Sequence, residues 1–167
     1  MIDYWRDIEF LKGERIKVTF LKAFKLLKGN PKIIEHLFEG VIYSDGNIGG
    51  IHSIIAQSNG CVVNPVTIPG PSGTYKAHVG KYNSNNILIM KLDRKGNLLD
   101  NDMFPDIWNE SQLLEELTYA FENMRYFEGN QWIGILRNGS TCTFCMKGLK
   151  KDKIITLNTR VITVWPN

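Results

Sequence analysis

The feature that most constrains the fold of this chain is a series of short apolar stretches separated by glycine, proline and asparagine. Beyond residue 60 the sequence runs through "CVVNPVTI", "TYKAHVGKY" and "NILIMKLDRKGNLL", with "PGPSG" and "NSNN" between them. Short apolar runs bounded by turn residues predict β-strands. Three further strands are predicted at residues 131–136, 140–147 and 154–165, the last with an internal irregularity.

Helical periodicity is confined to two parts of the sequence. "DIWNESQLLEELTYAFENM" has apolar residues every three or four positions and Asn109 as a candidate N-cap. Residues 3–29 also carry apolar positions at helical spacing and end at "GNP", which predicts a helical N-terminal lobe at 1–30. A short helix is expected at 32–38. Helices followed by strands with one intervening helix indicate an α+β fold, with the N-terminal helices packed on a mainly antiparallel sheet.

Composition supports one domain over residues 1–167, with 31–167 as its core after the helical lobe. The 167 residues are 43% hydrophobic and 22% charged, values typical of a globular chain with an ordinary core. No apolar run approaches a membrane span, and the start "MIDYWRDIEF" lacks signal-peptide character. The net charge of +3 weakly favours a polyanionic partner. We expect no cofactor.

Cysteine usage bears on redox state and metal binding. The three cysteines form an odd set, which argues against a complete disulfide framework. Cys142 and Cys145 form a CxxC, but "GSTCTFCMKG" is typical of a β-strand, and a structural zinc site needs four ligands. We therefore expect no metal site, and a zinc-binding module remains an alternative.

Two of the three histidines fall in one short window beside glycines, in "EHLFEG" and "GGIHS". Glycine lets the backbone approach a ligand closely. A loop between His36 and His52 could bring the two rings face to face. Two imidazoles at one phosphodiester suffice for RNA transesterification, since one removes the 2′-hydroxyl proton and the other protonates the departing 5′-oxygen. A lysine would stabilise the charged transition state.

Several fragments together resemble the bacterial EndoU ribonuclease domain. They are "EHLFEG", "GGIHS", "GTYKAHV", "MFPDIWNESQLLEEL", "GNQWIGILRNG" and "VITVWP", and they cover the chain from about Ile34 to its last residues. The resemblance implies a metal-independent RNA endonuclease that cuts on the 3′ side of uridine or a nearby pyrimidine and leaves a 2′,3′-cyclic phosphate. Such domains are often the C-terminal toxins of polymorphic or contact-dependent secreted systems, and their relatives commonly attack tRNA.

The resemblance assigns roles to particular residues. His36 and His52 match the two catalytic histidines, and Thr163 matches the threonine of the final strand that helps to hold base and phosphate. Trp165 stands where the family usually has tyrosine or another aromatic residue, so it keeps a face for stacking a base but lacks the phenolic hydroxyl of tyrosine.

The lysine is where the sequence departs from the family pattern. The family's catalytic lysine usually lies shortly before "FP", yet "NLLDNDMFP" contains none. The nearest upstream candidates are Lys91 and Lys95, and Lys91 better suits the longer spacing of the eukaryotic and viral relatives. Lys91 is therefore predicted to be catalytic, and Lys95 and Ser53 to contact the substrate. His78, in mid-strand, is predicted to be structural.

Partners and location follow from the same resemblance. We expect delivery as part of a larger secreted toxin, action in the target-cell cytoplasm, and a cognate acidic immunity protein that covers the cleft between His36, His52 and the Thr163 strand. Docking on the N-terminal lysines, Lys17 to Lys28, is the alternative. A non-catalytic RNA-binding or protein-interaction domain on the same fold is the alternative function.

Overall fold

The computed structural model describes Leu27 and residues 29–152, 155–156 and 158–167. The predicted helical lobe at 1–30 lies almost entirely outside these residues, as do the lysines from Lys17 to Lys28. The predicted packing of N-terminal helices on the sheet therefore stays a prediction. The described residues form an α+β arrangement in which every strand pairing is antiparallel.

The elements are short and follow one another closely along the chain. The helices are α1 (Pro31–Phe38), α2 (Glu110–Asn123) and a 3-10 helix (Ile54–Asn59). The strands are β1 (Val41–Ile42), β2 (Ile48–Gly49), β3 (Cys61–Pro65), β4 (Tyr75–Tyr82), β5 (Leu88–Met90), β6 (Asn101–Met103), β7 (Arg125–Glu128), β8 (Gln131–Ile135), β9 (Thr141–Lys147) and β10 (Arg160–Pro166).

Within the described ranges, the strands form two larger sheets and one small ribbon. One sheet has the order β10-β9-β8-β7, and in the other β3 and β5 flank β4, which also pairs with β6. The strands β1 and β2 pair as a two-stranded ribbon between α1 and the 3-10 helix. No helix within the described residues is long and apolar enough to cross a membrane.

The α2 helix begins where its sequence indicates. The side chain of Asn109 accepts a hydrogen bond from the backbone N–H of Gln112 at 2.8 Å, which confirms the predicted N-cap. The apolar face of α2 belongs to the same core cluster as the inward side chains of β8, β9 and β10. Phe121 of α2 meets Phe144 of β9 edge to face, with ring centroids 5.3 Å apart.

The last strand differs from its predicted extent. It begins at Arg160 rather than 154, because the chain first turns: the N–H of Thr159 donates to the carbonyl of Thr156, and the Thr159 hydroxyl donates to the carbonyl of Gly148. Local hydrogen bonds from threonine compete with strand pairing in this segment. The predicted irregularity is confirmed as a register shift between Val161 and Thr163.

Two hydrophobic clusters divide the described core. The first joins α1, α2 and the sheet that contains β10, and the second joins the β1–β2 ribbon, the 3-10 helix and the sheet that contains β4. His36 lies on α1, which packs in the first cluster, whereas His52 follows Ile51, which packs in the second. The two histidines therefore meet where the two halves of the core adjoin.

Candidate functional site

His36 is held in the last turn of α1. Asn30 caps the start of this helix by accepting a hydrogen bond from the N–H of Lys32, and Ile33, Leu37 and Phe38 anchor the helix in the core. The His36 side chain is buried, and its Nε2–H donates to the carbonyl of Val164 on β10 at 3.2 Å. The imidazole orientation is thus set by a neighbouring strand.

The loop that carries His52 lies directly against α1. The N–H of Ile51 donates to the carbonyl of His36 at 2.7 Å, and the N–H of His52 donates to the carbonyl of Leu37 at 3.1 Å. Gly50 has a φ of 81°, and a Cβ there would lie 2.1 Å from the His36 oxygen. This close approach requires glycine. It brings the two imidazole centroids within 5.0 Å, at an interplanar angle of 46°.

The two rings have opposite tautomers. The Nδ1–H of His52 donates to the carbonyl of Asp102 on β6 at 2.6 Å, whereas His36 donates through Nε2. A carbonyl only accepts, so each contact fixes which ring nitrogen carries the proton. Nδ1 of His36 and Nε2 of His52 receive no hydrogen bond from the residues that the structure describes, and each keeps a lone pair.

Lys91 is the cation at this site. It follows β5, and its ammonium donates to the carbonyl of Gly50 at 2.9 Å and to Oδ1 of Asn101 at 2.6 Å. Asn101 is itself buried and donates through Nδ2 to the carbonyl of Ile51 at 2.5 Å. The lysine is therefore tied to the same loop that carries His52.

Burial and the lysine charge determine the ionisation of the histidines. Burial, followed by the positive charge of Lys91, lowers the pKa of His36 from 6.5 to about 4. The same causes, with a smaller effect from His36, hold the pKa of His52 well below 6.5. Burial lowers the pKa of Lys91 to about 8, with Asp102 opposing the shift. At neutral pH both imidazoles are neutral and most of the lysine is charged.

These side chains line one open cleft of about 310 Å³. The predicted residues that the structure brings together there are His36, His52, Lys91, Thr163 and Trp165. Thr163 and Trp165 lie two positions apart on β10 and share one face of the strand. The cleft is also lined by Gly50, one of the glycines noted beside His52, and by Asn101 and Asp102, which sequence reasoning missed. The amide of Asn101, ten residues after Lys91, was the sequence feature that could have indicated a partner for this lysine.

Other predicted residues lie apart from the cleft lining. Ser53 is buried, and its hydroxyl caps the 3-10 helix by accepting from the N–H of Ile55. Lys95 is exposed in the turn whose N–H groups are bound by Asp93. His78 lies on β4 with Nε2 2.9 Å from Asp100, which lines the cleft, and its structural role stays a prediction.

The CxxC pair belongs to β9, the strand predicted for it. Cys142 is buried in the core and burial raises the pKa of its thiol, whereas Cys145 is half-buried. Both are free thiols. Within the described ranges, no group of three or more histidine, cysteine or acidic side chains is arranged to hold a metal ion.

The described residues thus form an antiparallel α+β domain in which two imidazoles of fixed tautomer and a lysine line one cleft. Residues 30–166 match the family described as bacterial EndoU nuclease, so the chain belongs to that family. The chain also resembles a protein of Bacillus cereus (strain ATCC 14579) named "Toxin", with 25% identity over 141 residues. The match covers 83% of this chain but only 23% of that protein. No solved structure matches the chain significantly.

We predict that Gly50→Ala is severely destabilising because its Cβ would collide with the carbonyl of His36. Gly46→Ala is the matched control, since Gly46 has a φ of 86° but no atom within 4 Å of its Cβ position. Left-handed strain alone should cost the control about 1–2 kcal/mol, and Gly50→Ala should lose at least about 3 kcal/mol. Urea unfolding measures both values. Equal losses of unfolding free energy in the two variants would show that a Cβ at position 50 meets no steric penalty from the His36 carbonyl.

We also predict that Lys91→Gln raises the pKa of both histidines, because the lysine charge lowers each of them. The pKa of His36 should rise above 4 yet stay below 6.5, since burial is the larger cause. NMR titration of the imidazole resonances measures these values. Lys95→Gln removes the same charge from an exposed turn and should leave both resonances unchanged. A histidine pKa that stays fixed in Lys91→Gln would contradict the electrostatic coupling.

Proposed function

We propose that this EndoU nuclease domain is an endoribonuclease that cleaves RNA by attack of a 2′-hydroxyl on the adjacent phosphate. The observation that supports this most is the pair of imidazoles, 5.0 Å apart, whose opposite tautomers leave one lone pair on each ring. One neutral imidazole removes the proton as the 2′-oxygen bonds to phosphorus. The bond from phosphorus to the 5′-oxygen breaks, and that oxygen takes a proton from the second imidazole. The products are a 2′,3′-cyclic phosphate and a 5′-hydroxyl.

The second imidazole must be protonated before it can donate. A pKa of about 4 would leave little imidazolium at neutral pH in the free protein. A bound phosphate brings negative charge beside the two rings and offsets the charge of Lys91, which raises the histidine pKa in the complex. We therefore propose that the substrate itself supplies the electrostatic condition for the acid step.

Lys91 is proposed to stabilise the negative charge on the non-bridging oxygens during attack. Its ammonium has three donors, of which Gly50 and Asn101 accept two, and the third has no acceptor among the described residues and could contact a phosphate. Trp165 offers a face for stacking a base, and the Thr163 hydroxyl offers a hydrogen bond. Every group in this scheme is a protein side chain, so the proposed reaction is independent of a metal ion.

A non-catalytic RNA-binding domain on the same fold explains less of the site. Burying two histidines beside a cation penalises their charged forms and makes the fold less stable in acid. Simple RNA binding gains nothing from neutral, buried imidazoles, since exposed lysines and aromatic residues perform it. Proton transfer does require imidazoles held close to a reacting phosphate.

We predict that the protein cleaves RNA in the presence of EDTA. His36→Ala and His52→Ala should each abolish most of this activity. Loss of one proton transfer should reduce the rate by roughly a hundred- to ten-thousand-fold. His78→Ala is the control and should stay active, because His78 contacts Asp100 but does not itself line the cleft. Fragments are followed on a gel, and the cyclic phosphate by mass spectrometry.

Two results would contradict the proposal. An active His36→Ala protein beside an inactive His78→Ala protein would place the chemistry elsewhere. RNA that binds without being cut, with or without divalent cations, would favour the non-catalytic alternative.

The toxin assignment rests on the relative named "Toxin", of which this chain matches about a quarter. We propose that the domain is the nuclease portion of a longer delivered toxin that acts in the target-cell cytoplasm. Transfer RNA is the proposed substrate, since its loops present unpaired nucleotides and the cleft, about 310 Å³, suits one unstacked base with its phosphate.

A cell that makes such a nuclease needs protection from it. We propose an acidic immunity protein that covers the cleft between His36, His52 and Thr163, attracted by the net positive charge of the chain. Its association should slow as salt rises, because exposed charges mainly steer encounter.

Competition with RNA tests where the immunity protein binds. We predict that a saturating amount displaces a short RNA made uncleavable by a 2′-deoxy substitution, measured by fluorescence anisotropy. Full RNA binding in the presence of bound immunity protein would show that the cleft stays open. Docking would then lie elsewhere, with the N-terminal lysines as the alternative surface.

A further inference from the structure

A second groove is lined by Arg160, Val161 and Ile162 of β10, the residues that precede Thr163 of the cleft. It has a volume of about 700 Å³ and lies between the start of α1 and the neighbouring ends of β9 and β10. Lys32, Lys147 and Arg160 line it together with neutral residues, and no acidic side chain lines it among the described residues. We call this feature the basic groove.

The cations of the basic groove are arranged at a cost to stability. Lys147 and Arg160 are direct cross-strand partners on β9 and β10, and like charges in such positions repel one another. In the part of the chain that the structure describes, neither they nor Lys32 form an ion pair. An anion bound in the groove would reduce the repulsion between Lys147 and Arg160.

The residues that line the basic groove and those that line the cleft occupy neighbouring positions on two elements. On α1, Lys32 precedes His36 by four residues, so the two side chains lie one turn apart on the same face. On β10, the register shift leaves Ile162 without a partner. Arg160 and Thr163 consequently lie on the same outer face, opposite the buried Val161 and Val164.

We propose that the basic groove binds the sugar-phosphate backbone of the RNA on one side of the scissile bond. This inference rests on the proposed function and extends it from a single cleavage position to a longer recognised strand. Phosphates recur along a strand, so an RNA whose scissile bond lies at the histidines carries further phosphates that these three cations could contact. An isolated anion would not need several cations placed beside the cleft. The ligand class is therefore single-stranded RNA, contacted mainly through phosphates.

The test is binding of a long single-stranded RNA whose cleavage site carries a 2′-deoxy substitution. We expect Lys147→Gln with Arg160→Gln to weaken binding on the order of tenfold at low salt and to reduce the salt slope of log Kd by about 0.7 per lost phosphate contact. The melting temperature should stay the same or rise, because the repulsion between the two cations is removed. Lys32→Gln should weaken binding further.

The matched control is Arg94→Gln with Arg125→Gln, which removes the same charge from exposed positions outside the groove. If both double variants lose equal affinity, the effect is one of total charge and the basic groove is not a binding site. An unchanged affinity of the groove variant overturns the proposal as well.

Cleavage of a uridine-containing dinucleotide by the unsubstituted protein separates the two proposals. Cleavage together with unchanged long-RNA binding by the groove variant would overturn the groove alone. Absence of cleavage, with long-RNA binding that still depends on Lys147 and Arg160, would overturn the proposed function alone.

Discussion

The site depends on one backbone contact, in which the Gly50–His52 loop lies against the carbonyl end of α1. The carbonyls of His36 and Leu37 accept hydrogen bonds from the N–H groups of Ile51 and His52. In a regular helix these carbonyls would bind residues further along, but α1 ends at Phe38 and leaves them free. The unsatisfied end of a short helix thus becomes the anchor for the second histidine.

A lysine also holds this loop, and it makes protonation of the two histidines unfavourable before any substrate arrives. The lysine that holds the loop through the Gly50 carbonyl also places a positive charge beside two buried imidazoles. Burial disfavours the charged forms of all three groups, and the charge of Lys91 further disfavours protonation of the two histidines. A phosphate would stabilise the charged forms of these side chains, whereas a neutral ligand would not. We therefore expect the positive charge of Lys91 beside the two buried imidazoles to favour an anion over a neutral ligand.

Local signals in the sequence predicted the elements but not the contacts between them. The Asn109 cap, the α2 periodicity and the strands β8 and β9 were predictable because each depends on residues near one another in the sequence. The start of β10 was not, since the Thr156–Thr159 turn is stabilised by the distant carbonyl of Gly148.

The candidate site shows the same division. Both histidines could be chosen from their glycine-rich setting, and Lys91 from its spacing. The role of Asn101 as a partner of Lys91 depends on β6 lying beside β4, which no local pattern shows. The covering of β10 by α1 is equally invisible in the sequence. Its carbonyls at Val161 and Val164 accept hydrogen bonds from Asn30 and His36, so one short helix both satisfies an exposed sheet edge and orients an imidazole. The hydrogen bond from His36 to Val164 therefore fixes the imidazole relative to the sheet, so the geometry of the candidate site depends on a contact that also protects the edge of β10.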